Sequence, residues 1–141
     1  MPNGLIKLKS VQAEVHPYCL VCSSANPYGL ALTFETAPDG VLSSTFHPNP
    51  VLEGYEGLLH GGVIASLLDG IMTNCLFAQG IVAVTAELNV RYQAPVLVGP
   101  EIQLKSWIEN RYSPLFLLRA ELRQDHCVKA IASAKFMERH E

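Results

Sequence analysis

Charge is scarce in this chain of 141 residues: Asp, Glu, Lys and Arg make up 16%, and the formal net charge is −3. Lysine and arginine form no cluster, which argues against a nucleic acid as a partner. No uninterrupted apolar run reaches about 18 residues, so the sequence predicts no membrane span. Residues 1–7 lack the apolar core of a signal peptide, and we therefore expect a cytoplasmic protein.

Cysteine is also sparse. Four cysteines in a chain without a leader favour reduced thiols over a disulfide framework. His16, Cys19 and Cys22 have the spacing of metal ligands, but a structural zinc site takes about four, and Cys75 and Cys127 lie far along the chain. A redox C-x-x-C pair belongs in a βαβ context, which this sequence does not present. We therefore expect free thiols, no metal and no cofactor.

Nothing in the pattern divides the chain, because internal repeats, low-complexity segments and linkers are all missing. Apolar residues make up 49%, which suffices for a core, so residues 1–141 are predicted to form a single domain. Residues 1–28 are expected to be irregular, with room for a short helix within 5–15. Strands are predicted at 30–36 and 41–47, joined by a Pro38-Asp39-Gly40 turn.

The second half of the chain predicts one helix followed by strands. The helix covers residues 61–79, with glycines at its start and Gly80 as its stop. Four β-rich runs follow, at residues 81–92, 101–110, 115–124 and 127–137. Short breaks favour antiparallel neighbours, since no further helix is available for parallel crossovers. The fold class is therefore α+β, with one long helix against an antiparallel sheet of about six strands.

The predicted helix is almost entirely apolar, and between residues 57 and 86 Asp69 is the only formally charged one. Such a helix is expected to be buried. At 100° per residue, Gly62, Ser66, Asp69 and Thr73 form one thin polar stripe. A carboxylate there has no counter-charge on its own helix, so it is expected to show a raised pKa unless donors outside the helix stabilise its ionised form. A carboxylate with a raised pKa suits a general base or nucleophile. The structural alternative is that Asp69 bonds backbone or Ser/Thr groups elsewhere.

The helix begins at His60-Gly61-Gly62, where backbone N–H groups lack partners and carry the positive end of the helix dipole. Glycine lets a ligand approach that backbone, so a developing oxyanion is stabilised there; the alternative is tight packing alone. His60 either donates to an acyl oxygen or caps the helix. Asp69 lies about 10 Å further along the helix axis, so a site using both ends takes them from two subunits.

His60-Gly61-Gly62, followed after six residues by Asp69, resembles the hotdog-fold acyl-CoA thioesterases, and most closely the phenylacetate-degradation type of the 4-hydroxybenzoyl-CoA thioesterase superfamily. The similarity continues through residues 84–96, a strand with a Pro95-Val96 turn. The Cys19-x2-Cys22 segment, with Asn26-Pro27-x-Gly29-Leu30, looks like a variant found in part of that group. Together the resemblance spans about residues 19–137.

The resemblance implies a hotdog fold, in which a curved antiparallel sheet wraps the helix. It implies acyl-CoA as substrate and a homodimer, commonly paired into a homotetramer, with sites between subunits. Asp69 matches the catalytic carboxylate and Gly61 the glycine whose N–H polarises the thioester carbonyl. His60 matches the adjacent histidine, and Thr85 a Ser/Thr that orients the water or the carboxylate.

The substrate side of the site is predicted from neighbours of these residues, namely Gly62, Ser66 and Glu56. Gly54 stands where several relatives carry Asn or Gln, which is a departure from the family pattern. Tyr92 and the other large aromatics are expected in the core or an interface. Two further functions share this fold: a non-catalytic acyl-CoA binding or regulatory module, and a dehydratase or hydratase that acts on acyl thioesters.

Overall fold

The computed structural model describes residues 2–139 and contains two α-helices and six strands. The helices are α1 (Pro2–Val15) and α2 (Gly61–Phe77). The strands are β1 (Glu35–Thr36), β2 (Leu42–Phe46), β3 (Ala83–Tyr92), β4 (Ile102–Tyr112), β5 (Leu115–Gln124) and β6 (Cys127–Glu138). A 3₁₀ turn, Pro50–Leu52, lies in the predicted loop before α2. Neither helix is long and apolar enough to cross a bilayer within the described residues.

All six strands form one antiparallel sheet in the order β1-β2-β4-β5-β6-β3. β1 and β3 are therefore its edges. Pro38-Asp39-Gly40 connects β1 to β2, and Gly40 adopts a positive φ of 89° as that turn requires. The predicted helix packed on an antiparallel sheet of about six strands is confirmed.

The middle and C-terminal part of α2 lies against the inner face of the sheet. Leu67, Leu68, Ile71, Met72 and Leu76 are all buried to 0% exposure. The sheet contributes alternating side chains from β4, β5 and β6 to the same core, as a half-buried strand does. The helix ends two residues before the predicted boundary. At its start, by contrast, Gly61 and Gly62 are exposed, Val63 is half-buried and Ile64 already belongs to the core.

The N-terminal segment is more ordered than the sequence predicts. Residues 2–15 form α1, which is longer than the short helix allowed within residues 5–15, and α1 packs against α2. Leu8 is buried there, and Gln12 Nε2 donates a 2.7 Å hydrogen bond to Asn74 Oδ1 of α2. These contacts are tertiary, which explains why a segment containing Gly4 and no clear N-cap signal folds as a helix.

The first predicted strand is shorter than expected. Of residues 30–36, only β1, Glu35–Thr36, joins the sheet. Ala31 has a φ of +51°, which interrupts the extended backbone. The N–H groups of Leu30 and Leu32 instead donate to the carbonyls of Leu20 and Val21. The segment therefore bonds with the N-terminal loop, and its Leu32 and Phe34 side chains are buried.

Candidate active site

Asp69 and Thr85 meet between α2 and β3. The Thr85 hydroxyl donates a 2.6 Å hydrogen bond to Asp69 Oδ1. Asp69 is half-buried, and Thr85 is on the exposed edge strand. One carboxylate oxygen is thus held in place by a donor outside its own helix, while no partner of Oδ2 occurs among residues 2–139. The pairing expected from the resemblance is present in the fold.

The first turn of α2 leaves one backbone donor free. His60 is the N-cap, and its Nδ1 accepts a 2.8 Å hydrogen bond from Gly62 N–H. The N–H groups of Val63 and Ile64 donate to the His60 carbonyl. Across the described part of the chain, Gly61 N–H has no acceptor. His60 was expected either to cap the helix or to donate to an acyl oxygen, and its contacts are those of a cap. This capping bond occupies the Gly62 N–H.

Tyr92 also belongs to this site, although its expected place was the core or an interface. Its hydroxyl donates a 2.7 Å hydrogen bond to the Gly61 carbonyl, and the side chain remains 51% exposed. Thr85 and Tyr92 are seven residues apart on β3, a spacing that puts side chains on opposite faces of a regular strand. A β-bulge between Thr85 and Glu87 shifts the register and turns both towards α2.

A surface cleft of about 420 Å³ opens beside the start of α2. It is lined by Gly54, Tyr55, Leu59, His60 and Gly61. Gly61, whose N–H is free, is therefore one of the residues that line a concave surface with space for a ligand. The cleft is open to solvent in the single chain, which leaves one side for another molecule to complete.

Among the described residues, no side-chain hydrogen bond joins the other predicted site residues to the Asp69–Thr85 pair. Ser66 Oγ donates a 2.9 Å hydrogen bond to the Gly62 carbonyl, so this hydroxyl is engaged within its own helix. Glu56 is exposed in the turn before α2 and is not part of the cleft lining. A Cβ built on Gly54 would lie 3.4 Å from His60 Cδ2. The position that carries Asn or Gln in several relatives is therefore directly beside the histidine.

Residues 16–23 pack against α2 next to Asp69. Gly70 makes this approach possible, because a Cβ there would overlap Val21 Cγ1. The His16 ring contacts the edge of Phe77, with centroids 4.9 Å apart. Burial lowers the pKa of His16, and the negative charge of Asp69 acts in the opposite direction. This segment, which the sequence did not connect to the site, therefore lies within electrostatic range of its carboxylate.

All four cysteines are free thiols, at positions 19, 22, 75 and 127. Cys22 is buried, and burial together with the neighbouring Cys19 raises the pKa of its thiol to about 12. Cys75 is buried in α2, where burial raises its pKa to about 11. Cys127 is exposed at the start of β6.

The chain is similar in sequence to known proteins. A family model described as Thioesterase superfamily matches residues 56–131. The acyl-coenzyme A thioesterase THEM4 of Rattus norvegicus is 44% identical over 59 residues, which is 42% of this chain and 25% of that protein. Acyl-coenzyme A thioesterase 13 of Mus musculus is 31% identical over 81 residues, 56% of this chain and 58% of that protein. The chain thus spans less than two thirds of these curated relatives.

Solved structures share the fold. The E. coli PaaI protein from the phenylacetic acid degradation operon superposes with a TM-score of 0.82 at 14% identity, covering 98% of this chain and 94% of that one. The expected hotdog fold is thereby confirmed. A hypothetical thioesterase protein of Streptococcus pneumoniae TIGR4 with coenzyme A gives a TM-score of 0.73 at 16% identity, over 78% of this chain and 90% of that one. Two further structures of the pneumococcal protein are mutants. One has alanine in place of an aspartate, and the other has alanine in place of a threonine sixteen residues later.

Proposed function

The chain belongs to the Thioesterase superfamily, and on that basis we propose that it is a thioester hydrolase that converts acyl-CoA into a carboxylic acid and free coenzyme A. The observation that carries this proposal is the pairing of a helix carboxylate with a strand hydroxyl, Asp69 with Thr85. The pneumococcal aspartate and threonine chosen for replacement are sixteen residues apart, and so are Asp69 and Thr85. The coenzyme A bound by that neighbour supports the substrate class.

The oxyanion side of the reaction is assigned to the start of α2. Gly61 N–H is free, lies at the positive end of the helix dipole and lines the cleft. His60 serves as a positioning residue, since its capping bond to Gly62 holds the first turn of the helix beside Gly61. Tyr92 braces the same residue through its carbonyl. Gly62 and Ser66 are proposed to shape the wall that an acyl group passes.

Two copies of the chain are proposed to build each site. β3 is an edge of the sheet, and Val84, Leu88 and Tyr92 expose apolar surface along it. Such an edge is suited to pair with a second sheet edge. Pairing of two β3 strands closes the open side of the cleft and supplies Asp69 from one subunit opposite Gly61 of the other. Because Gly61 and Asp69 are about 10 Å apart along one helix, a site that uses both groups takes them from two subunits in this arrangement.

The proposed reaction places the thioester carbonyl oxygen on Gly61 N–H of one subunit. Asp69 of the other subunit either takes a proton from water as the water oxygen bonds to the carbonyl carbon, or attacks that carbon itself. With water as the nucleophile, the C–S bond then breaks and coenzyme A leaves as a thiolate that recovers the proton from Asp69. With Asp69 as the nucleophile, C–S cleavage leaves an acyl–aspartyl anhydride, which water hydrolyses to the carboxylic acid and free Asp69, and the released proton goes to the thiolate. A thiolate leaves readily, so no strong acid is needed for the leaving group. Thr85 orients the carboxylate, and Glu56 is assigned to the substrate entrance.

The test is the release of free thiol from a panel of acyl-CoA esters by the purified chain. Turnover is expected in wild type and a fall in kcat of about 10²–10⁴ in Asp69→Asn, the range of a general-base contribution. Asp125→Asn makes the same charge change in a remote turn and should retain wild-type turnover. Binding of acyl-CoA without thiol release would favour a non-catalytic module, and hydration of an enoyl ester would favour a hydratase. Equal turnover in Asp69→Asn and wild type would remove Asp69 from the mechanism.

A further inference from the structure

The turn after α1 brings together three side chains that bind metals. His16, Cys19 and Cys22 each direct one ligand atom into a common space, with all three atoms within 4.8 Å of one another. No second group of three such residues occurs within residues 2–139. By spacing alone the shell is incomplete, because Cys75 and Cys127 lie far along the chain. The folded chain shows that the three nearby residues converge without them.

The spacing of these atoms fits a metal-binding tetrahedron. Zinc–sulfur bonds of about 2.3 Å and zinc–nitrogen bonds of about 2.0–2.1 Å place adjacent sulfur and nitrogen ligands about 3.6 Å apart. Cys22 Sγ lies 3.5 Å from His16 Nδ1. Two tetrahedral sulfur ligands are about 3.8 Å apart by the same geometry. Cys19 Sγ lies within 4.8 Å of both other ligand atoms, so a movement of its side chain towards them completes one face of the tetrahedron.

The backbone around Cys19 already suits a sulfur ligand with negative charge. Cys19 Sγ accepts hydrogen bonds from the N–H groups of Val21 at 3.3 Å and of Cys22 at 3.4 Å. Donors aimed at sulfur stabilise a thiolate and orient it, as outer hydrogen bonds do for metal ligands. Ser23 N–H donates to the Cys19 carbonyl at 3.1 Å and closes the turn. The ligand loop is therefore organised before any ion arrives.

The loop is also anchored from both sides. Leu30 and Leu32 donate backbone hydrogen bonds to the carbonyls of Leu20 and Val21, and Val21 packs on Gly70 of α2. Cys22 is buried, while His16 and Cys19 are only partly covered, so an ion and a water molecule can approach from the exposed side. The group therefore combines one buried ligand, Cys22, with an accessible side at His16 and Cys19.

We propose that His16, Cys19 and Cys22 bind one zinc ion, with a solvent water as the fourth ligand. Two thiolates and one imidazole form a donor set that favours zinc over magnesium or calcium. Three protein ligands are sufficient when water occupies the remaining tetrahedral position. The ion cross-links positions 16, 19 and 22 within the loop that packs on α2 at Gly70, one residue beyond Asp69. This proposal does not depend on the proposed hydrolysis, because it concerns metal binding alone.

The experiment titrates the full chain, freed of metal by a chelator and kept in a non-coordinating phosphine reductant, with Co²⁺ and then Zn²⁺. One Co²⁺ per chain is expected, with thiolate-to-cobalt charge-transfer absorption and the intense visible bands of tetrahedral cobalt. Zn²⁺ should displace it at one equivalent and raise the thermal midpoint. Binding well below one equivalent, or octahedral cobalt without charge-transfer absorption, would contradict the proposal.

Substitutions locate the ion. Cys19→Ser and His16→Gln, both at partly exposed positions, should weaken Zn²⁺ binding at least about tenfold, since even outer-sphere changes have effects of that size. Cys22→Ser is a third variant, whose circular dichroism establishes that it folds before it is titrated. Cys127→Ser removes an exposed thiol elsewhere and should bind Zn²⁺ as wild type does. Unchanged affinity in Cys19→Ser and His16→Gln would place the metal elsewhere and refute the site.

Discussion

The Thr85 hydroxyl donates a 2.6 Å hydrogen bond to Asp69 Oδ1, and so links the edge strand β3 to the middle of α2. The bond occupies one carboxylate oxygen and sets the direction of the other. A carboxylate held in this way presents Oδ2 in a defined orientation, which is the condition for accepting a proton from a bound water molecule.

Replacing Thr85 tests this orientation. Thr85→Val keeps the shape and strand preference of threonine but removes the donor, so kcat should fall about 10–100-fold, the equivalent of about 1.5–3 kcal/mol for a hydrogen bond to a charged group. Thr85→Ser restores the hydroxyl and should recover most of the activity. Because Thr85 is exposed, neither change should alter the free energy of unfolding by more than about 0.5 kcal/mol. A Thr85→Val enzyme as active as wild type would show that the bond has no role in turnover.

Mixed dimers test the shared site. Gly61→Pro removes the proposed oxyanion donor and Asp69→Asn removes the proposed base, so each variant alone should be inactive. In a mixed dimer one site carries both changes and the other carries neither. With random exchange, about a quarter of wild-type activity should return, since half of the dimers are mixed and half of their sites are intact.

Native mass spectrometry provides the control for that experiment, because it measures the mixed species directly. Mixed dimers that form but show no activity would mean that Gly61 and Asp69 act within one subunit. A chain that remains monomeric at assay concentration while turning over substrate would also contradict the shared-site arrangement.

Gly70 tests the docking of residues 16–23 on α2. Alanine is normally preferred in a helix by about 0.5–1 kcal/mol, but a Cβ at Gly70 would overlap Val21 Cγ1. Gly70→Ala should therefore lower the free energy of unfolding by about 1–3 kcal/mol, as overpacking does. The double variant Val21→Ala/Gly70→Ala should be more stable than Gly70→Ala. Gly4→Ala, whose Cβ meets only ordinary contacts from 3.4 Å, is the control and should be neutral or stabilising.

Cys75 predicts a pH dependence of stability. Burial raises the pKa of its thiol to about 11, so above about pH 9 the unfolded chain ionises this group while the folded chain keeps it protonated. The contribution is fully present below the unfolded pKa and is lost as the pH rises towards 11, by up to about 3 kcal/mol. The free energy of unfolding, measured with denaturant from pH 7 to 11, should therefore decline less steeply for Cys75→Ala than for wild type. Cys127→Ala, at an exposed thiol, should follow wild type.

Local patterns were sufficient to predict α2 and the four long strands. The mostly apolar run before Gly80 and the β-rich runs after it match α2, β3, β4, β5 and β6, with ends within two residues of those expected. The N-terminal third was predicted less well. The helicity of α1 depends on burying Leu8 and on the Gln12–Asn74 bond, and residues 30–34 leave the sheet to bond with the N-terminal loop. Partners distant in the chain decide both, and a local pattern contains no information about them.

The amino-acid sequence by itself determined the long apolar helix, the glycines at its start and the isolated Asp69, because each depends on residue type and on spacing along one element. Only the tertiary structure decided that Thr85 and Tyr92 face the same helix. Strict alternation along β3 puts them on opposite faces, and the bulge after Thr85 reverses that parity. The convergence of His16, Cys19 and Cys22 is likewise a property of the folded turn, since ligand spacing in a sequence fixes neither the direction nor the distance of the ligand atoms.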